Sequence, residues 1–220
     1  MNDEIPKVNG PVVLPENGIA PESAVILCHG YGSNGEDLIS LARHWQGLLT
    51  KTIFLAPNAH ENCPGSPLGY QWFPLSTLSK EERREGSYKA APVLDNYIDR
   101  ILDQYHLEAN KLALVGFSQG TMMSLHVGLR RERELAGILG FSGALSAPEN
   151  LVSEIKSKPP IFLIHGDRDN VIPPQNLFES VGALAAAGIV AEKHVSQQTA
   201  HNIAPDGLQK GGTFLAKLLV

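Results

Sequence analysis

Lys111-Leu112-Ala113-Leu114-Val115-Gly116-Phe117-Ser118-Gln119-Gly120-Thr121 is the stretch that decides how this chain folds. Its first half is continuously apolar, as expected of a strand buried on both faces. Its second half opens a helical pattern over residues 119–130. Between them lies G-x-S-x-G, Gly116 to Gly120. A serine on so tight a strand-to-helix turn is lifted above the sheet, and the two glycines relieve crowding around its strained backbone. The turn also leaves the Gln119 N–H at a helix N-terminus, where a developing oxyanion is stabilised. The five-residue pattern alone is weak in a chain with 21 glycines, so its weight comes from the flanking strand and helix.

Outward from this turn, apolar runs alternate with helical patterns. Strands are expected at residues 24–28, 52–56, 111–116, 135–141, 160–165 and 190–195. Helices are expected at 91–106, 119–130, 174–187 and 204–219. In the first of these, Leu94, Ile98, Ile101, Leu102 and Tyr105 recur at helical spacing behind Pro92. The last is weakened by Gly207, Gly211 and Gly212. Alternation of this kind predicts a mostly parallel central sheet with helices on both faces, in a single α/β domain over residues 1–220. Chemistry is then expected in loops beyond the carboxyl ends of the strands. Residues 58–87 interrupt the alternation as a long loop, and its Trp72, Phe73 and Leu75 argue against disorder.

A serine hydroxyl needs a general base. Partners of a strand-turn serine follow it in the order acid, then histidine. Only His194 and His201 lie downstream of both Ser118 and the acidic candidates. His194 sits inside the strand pattern 190–195, whereas His201 follows a polar loop and precedes the last helix, where the base belongs. The acid comes from His165-Gly166-Asp167-Arg168-Asp169, a loop leaving a strand. One of its aspartates would orient the base, and the other would brace the turn. Spacing alone does not choose between Asp167 and Asp169.

After the first apolar strand comes His29-Gly30-Tyr31-Gly32-Ser33-Asn34-Gly35. A glycine-rich loop there can supply a second oxyanion donor, expected to be the Tyr31 N–H. It lacks the spacing of a phosphate-binding or dinucleotide-binding loop. His29 reads as a structural hydrogen-bonder. His60 and Cys63 have no second ligand pair, so no metal is expected.

Composition sets outer bounds. The chain has 220 residues, 43% hydrophobic and 19% charged, which suits one globular core and excludes a disordered chain. Its net charge is −5, with no basic block, so no nucleic-acid partner is expected. The mixed-sign run 80–85 reads as a solvated helix face or loop. Two cysteines make no disulfide framework. Cys28 reads as a buried strand residue and Cys63 as an exposed loop residue. No signal peptide or membrane-length apolar run is evident, so stable membrane insertion is not expected. A cytoplasmic protein is the default, with a secreted form already stripped of its leader as the alternative.

Taken together, HGYGSNGEDL after the first strand, the loop bearing Trp72-Phe73, GFSQG, HGDRDNVIP and a histidine before the last helix resemble the phospholipase/carboxylesterase family of α/β-hydrolases, which includes the acyl-protein thioesterases. The likeness runs through essentially the whole chain. It implies Ser118 as nucleophile, His201 as base and Asp169 as acid, because the family's acid is the last residue of H-G-x-x-D. It carries the oxyanion donors onto the N–H groups of Tyr31 and Gln119. It further implies a small lidless hydrolase with no cofactor, a monomer or weak homodimer, that cleaves carboxylic esters and in some members thioesters or lysophospholipids. The expected substrate is a small-molecule or lipid acyl ester, or an acylated protein. Trp72, Phe73 and Leu75 are expected in the acyl pocket, with capping of the core as their alternative role. Two positions depart from the family. Thr121 stands where many members have a second glycine after S-Q-G, and Asn202 stands where many have serine after the histidine. A lactone or peptide hydrolase, or a catalytically silent binding protein, are the rival readings on this fold.

Overall fold

A computed structural model describes residues 5–220. Strands β2 (Ser23–Cys28), β3 (Thr52–Leu55), β6 (Leu112–Phe117), β7 (Gly137–Phe141), β8 (Ile161–Gly166) and β9 (Glu192–Ser196) run parallel. A short antiparallel strand, β1 (Val12–Val13), pairs with β3 and completes a seven-stranded sheet in the order β1-β3-β2-β6-β7-β8-β9. The winding direction reverses beside β2 and β6. The loops leaving these two strands therefore face each other at a crevice.

Alternate residues of each central strand feed opposite layers. Ile26, Leu112 and Leu114 pack with Leu94, Ile98 and Ile101 of α3 (Lys80–Tyr105) and with Met122 and Met123 of α4 (Gln119–Gly128). Val25, Leu27, Ala113 and Val115 pack instead with Trp45 of α2 (Ala42–Trp45) and Phe214 and Leu215 of α7 (Pro205–Leu219). A third cluster joins Ile138 and Leu163 to Leu177 and Leu184 of α6 (Gln175–Ala186). Continuous apolarity of the strands follows from this two-sided burial.

The remaining helices, α1 (Gly35–Ile39) and α5 (Leu151–Glu154), are single turns. Strands β4 (Glu61–Asn62) and β5 (Tyr70–Gln71) form a separate hairpin inside the 58–87 segment.

Helix α3 begins eleven residues earlier than its sequence pattern suggests. Ser79 caps it by accepting the Glu82 N–H at 3.1 Å. The Glu82 carboxylate reaches back to the backbone N–H groups of Thr77 (2.9 Å) and Ser76 (3.2 Å) and to the Ser76 hydroxyl. These bonds, led by the Ser76 hydroxyl, hold Glu82 down at about 2. Pro92 thus lies inside the helix rather than near its start. Cys63, expected to be exposed, is buried.

Candidate active site

Ser118 sits at φ 53° and ψ −115°, a strained conformation, immediately after β6. Its N–H bonds to the Phe141 carbonyl at 2.9 Å, tying the turn to β7. Close approach explains both flanking glycines. A Cβ on Gly120 would lie 1.8 Å from the Cys28 carbonyl oxygen, and one on Gly116 would lie 2.3 Å from the Thr121 nitrogen. Thr121, the departure from the family pattern, is built in. Its hydroxyl is 2.8 Å from the Gly116 carbonyl oxygen and 2.9 Å from that of Phe141. Its side chain fills space left by Gly140 and Gly143, where an added Cβ would meet it at 2.5 and 2.4 Å.

His201 lies in the loop between β9 and α7. Its Nε2 is 3.0 Å from Ser118 Oγ and its Nδ1 is 2.8 Å from Asp169 Oδ2. Because a carboxylate only accepts, Nδ1 carries the proton and Nε2 presents its lone pair to the serine. The Asp169 side chain is wholly buried, and its Oδ1 accepts the N–H groups of Val171 and Ile172 at 3.0 and 2.9 Å. Asp167 points elsewhere and accepts the Thr199 N–H at 3.0 Å, which leads the lowering of its pKa. It thereby braces the loop carrying His201. His194 pairs with Asp206 at 2.6 Å, away from the serine.

Buried His165 also faces the acid. Its Nε2 lies 2.8 Å from the Ile172 carbonyl oxygen and 3.3 Å from Asp169 Oδ2. A carbonyl only accepts, so Nε2 is protonated and leans toward the carboxylate. Burial holds this ring's pKa down. The sequence offered no periodicity for this contact, only a histidine opening the acidic loop.

The loop after β2 closes the site. A Cβ on Gly30 would lie 3.2 Å from Ser118 Cβ, so this loop runs directly beside the serine. Among the described residues, no backbone carbonyl or side chain accepts the N–H of Tyr31 or of Gln119. Both are free to meet an anionic oxygen. His29 is fixed from two sides. It accepts the Ala59 N–H on Nε2 at 2.9 Å and donates from Nδ1 to the Gly30 carbonyl at 2.8 Å, while burial holds its pKa down. The β4–β5 hairpin is stitched to the same loop. The Gly32 N–H reaches the Tyr70 carbonyl at 2.9 Å, and the Tyr70 N–H reaches the Ser33 carbonyl at 2.7 Å.

Trp72 and Phe73 correct an expectation. They are 0% and 1% exposed and belong to the core between the sheet and α3, leaving no surface for an acyl chain. Their burial follows from how they are bonded. Trp72 Nε1 donates to the His29 carbonyl at 3.0 Å, and the Gln119 side chain takes the Trp72 N–H at 2.9 Å and gives to the Phe73 carbonyl at 2.7 Å. The pair thus supports the loop after β2 and the Ser118 turn from beneath. Leu75 is half-buried against that core and retains an exposed edge.

Parallel strands wound in this order, with a strained serine ending β6 and facing a histidine and a buried aspartate, define an α/β-hydrolase. Comparison with known proteins narrows the class: residues 11–219 match the profile of the phospholipase/carboxylesterase family, and the chain belongs to that family, as a hydrolase of the carboxylesterase type. It is 44% identical to the solved structure of esterase PE8, over 97% of this chain and 100% of that one, with a TM-score of 0.94. It is 30% identical over 177 residues to acyl-protein thioesterase 1 of Schizosaccharomyces pombe, covering 76% of each. Esterase YpfH of Escherichia coli is 27% identical over 168 residues, 76% of this chain and 70% of that protein. Among the described residues no helix is long and apolar enough to cross a membrane.

Proposed function

We propose that the chain is a serine carboxylesterase acting through an acyl-enzyme. The observation that carries this reading is the unbroken line of hydrogen bonds from Asp169 through His201 to Ser118, at 2.8 and 3.0 Å. Ser118 Oγ attacks the ester carbonyl as His201 Nε2 takes its proton. Asp169 keeps the ring in the right tautomer and stabilises the imidazolium. The N–H groups of Tyr31 and Gln119 hold the tetrahedral oxyanion, each supplying about 3 kcal/mol. His201 returns its proton to the departing alcohol, then activates the water that releases the acid. Thioester cleavage needs the same atoms, and the name of the Schizosaccharomyces relative favours it as a second reading.

The test is hydrolysis of p-nitrophenyl esters from acetate to palmitate by the wild type and Ser118→Ala. We expect kcat/KM in the mutant to fall at least about a thousandfold. Equal activity in both proteins would refute the nucleophile, and failure of a fluorophosphonate to label Ser118 in folded protein would favour a silent scaffold.

A further inference from the structure

A second polar site lies at the same carboxyl-end rim as Ser118. The start of α3, the 142–149 loop and the start of α6 enclose a cavity of about 30 Å³. That is room for one or two waters, or for the oxygens of a single carboxylate. The Gly143 backbone, where an added Cβ would lie 2.8 Å from the Ser118 carbonyl oxygen, packs on the nucleophile turn. Ala144 and Leu145, the next two residues, already line the cavity. At 3.8 Å per residue, the cavity wall begins within about 8 Å of chain from that contact.

Its lining carries two cations, Lys80 and Arg83, and two carboxylates, Glu149 and Glu179. Arg83 is 8% exposed and Ser146 is 3% exposed, and both face the cavity. Arg83 Nε and Ser146 Oγ are buried with no hydrogen-bond partner among the described residues. The guanidinium gives one bond to a neutral acceptor, Asn176 Oδ1, at 3.1 Å. No carboxylate among the described residues pairs with it. Glu179 is held by Lys80 at 3.2 Å and Glu149 by Arg84 at 3.5 Å. Burial alone drags the guanidinium's pKa downward, with only partial relief from Glu179. Lys80 and Arg83 also stand in the first turn of α3, where the helix dipole opposes cations and favours anions. A buried cation left with an open donor is costly unless an anion completes it.

We propose that this cavity receives a free carboxylate on the substrate, so that the preferred esters are half-esters of dicarboxylic acids, with Arg83 and Ser146 binding the distal acid. The proposal rests on the esterase reading above. A carboxylate takes Arg83 Nε and the Ser146 hydroxyl as donors, and the fork geometry of guanidinium suits it better than an ammonium does.

The experiment compares monomethyl succinate, glutarate and adipate with the methyl esters of alkanoic acids of matching length, followed by acid release at constant pH. In the wild type, kcat/KM for the best half-ester should exceed its neutral counterpart about tenfold or more. That ratio should collapse toward one in Arg83→Gln and fall in Ser146→Leu, which fills the cavity without touching the charge. Arg83→Lys should restore part of it. A second readout needs no turnover: sodium glutarate should raise the wild-type Tm relative to sodium chloride of equal ionic strength, and not that of Arg83→Gln. A wild-type ratio near one, or one unchanged in both cavity variants, overturns the proposal. So does glutarate stabilisation without half-ester preference, which would make this a site for free anions only. Hydrolysis surviving in Ser118→Ala would instead overturn the esterase reading, so the two failures are distinguishable.

Discussion

The Gln119 side chain ties the Ser118 turn to the 58–87 segment. Its backbone N–H has no acceptor among the described residues, while its side-chain amide takes the Trp72 N–H and gives to the Phe73 carbonyl, both buried. Gln119→Leu keeps the volume and orphans both groups. We expect a loss of about 2–4 kcal/mol in urea unfolding, together with a fall in kcat as the turn loosens. An unchanged urea midpoint would contradict this role. At this scale the sequence was legible where chemistry is tied to chain order. G-x-S-x-G and the order serine, acid, histidine pointed to Ser118 and His201, and the structure brings them within 3.0 Å. The choice between Asp167 and Asp169 was not legible from spacing. It depends on which carboxylate the backbone at residues 166–172 turns inward, and that is set by the bonds of Asp169 Oδ1 to Val171 and Ile172. The roles of Trp72 and Phe73 are not legible, because an aromatic loop beside a site looks the same in sequence whether it lines the pocket or caps the core.

Among the elements, the contact between α3 and α4 carries a pH dependence. His126 of α4 is buried edge-on against Tyr88 of α3 at 4.6 Å, and burial, then the charge of Arg130, hold its pKa down at about 3. Glu154, bonded to both Tyr88 and Arg130, partly opposes that fall. The unfolded histidine takes up a proton near 6.5, and the folded one refuses it until about 3. The stabilising contribution is therefore complete above pH 6.5 and is lost as pH falls toward 3. Between pH 6 and pH 4 it should diminish by about 2 kcal/mol. His126→Phe keeps the ring contact and removes the titration, so its urea midpoint should fall less than that of the wild type over this interval. Equal losses would refute it. Strand and helix cores were readable from periodicity, but not every boundary was. The apolar stripe of α3 starts at residue 91, whereas its polar first turns, capped by Ser79 and Glu82, carry no period and leave Pro92 inside the helix. The single turns α1, α2 and α5 are too short to show a period.

Over the whole molecule, the exposed edge of β3 is covered by a strap rather than by a full strand. The Ala56 N–H bonds to the Pro11 carbonyl at 3.0 Å and the Asn58 N–H to that of Asn9 at 2.9 Å, with Val12 and Val13 in register with Leu55 and Phe54. Removing everything before Pro15 would bare an apolar edge of paired-strand geometry, which templates association. The shortened protein should form large aggregates by light scattering, and a monodisperse solution would refute the role of the strap. The hairpin sewn to the Gly30–Ser33 loop has a different kind of consequence. Its outer residues, such as Leu68, are exposed. Yet its inner residue Tyr70 is bonded to Gly32 and Ser33, so a shift of the hairpin also shifts the Tyr31 amide. Under the proposed mechanism, any reshaping of the hairpin would also move an oxyanion donor, so changes at this rim should slow turnover until second substitutions restore the loop.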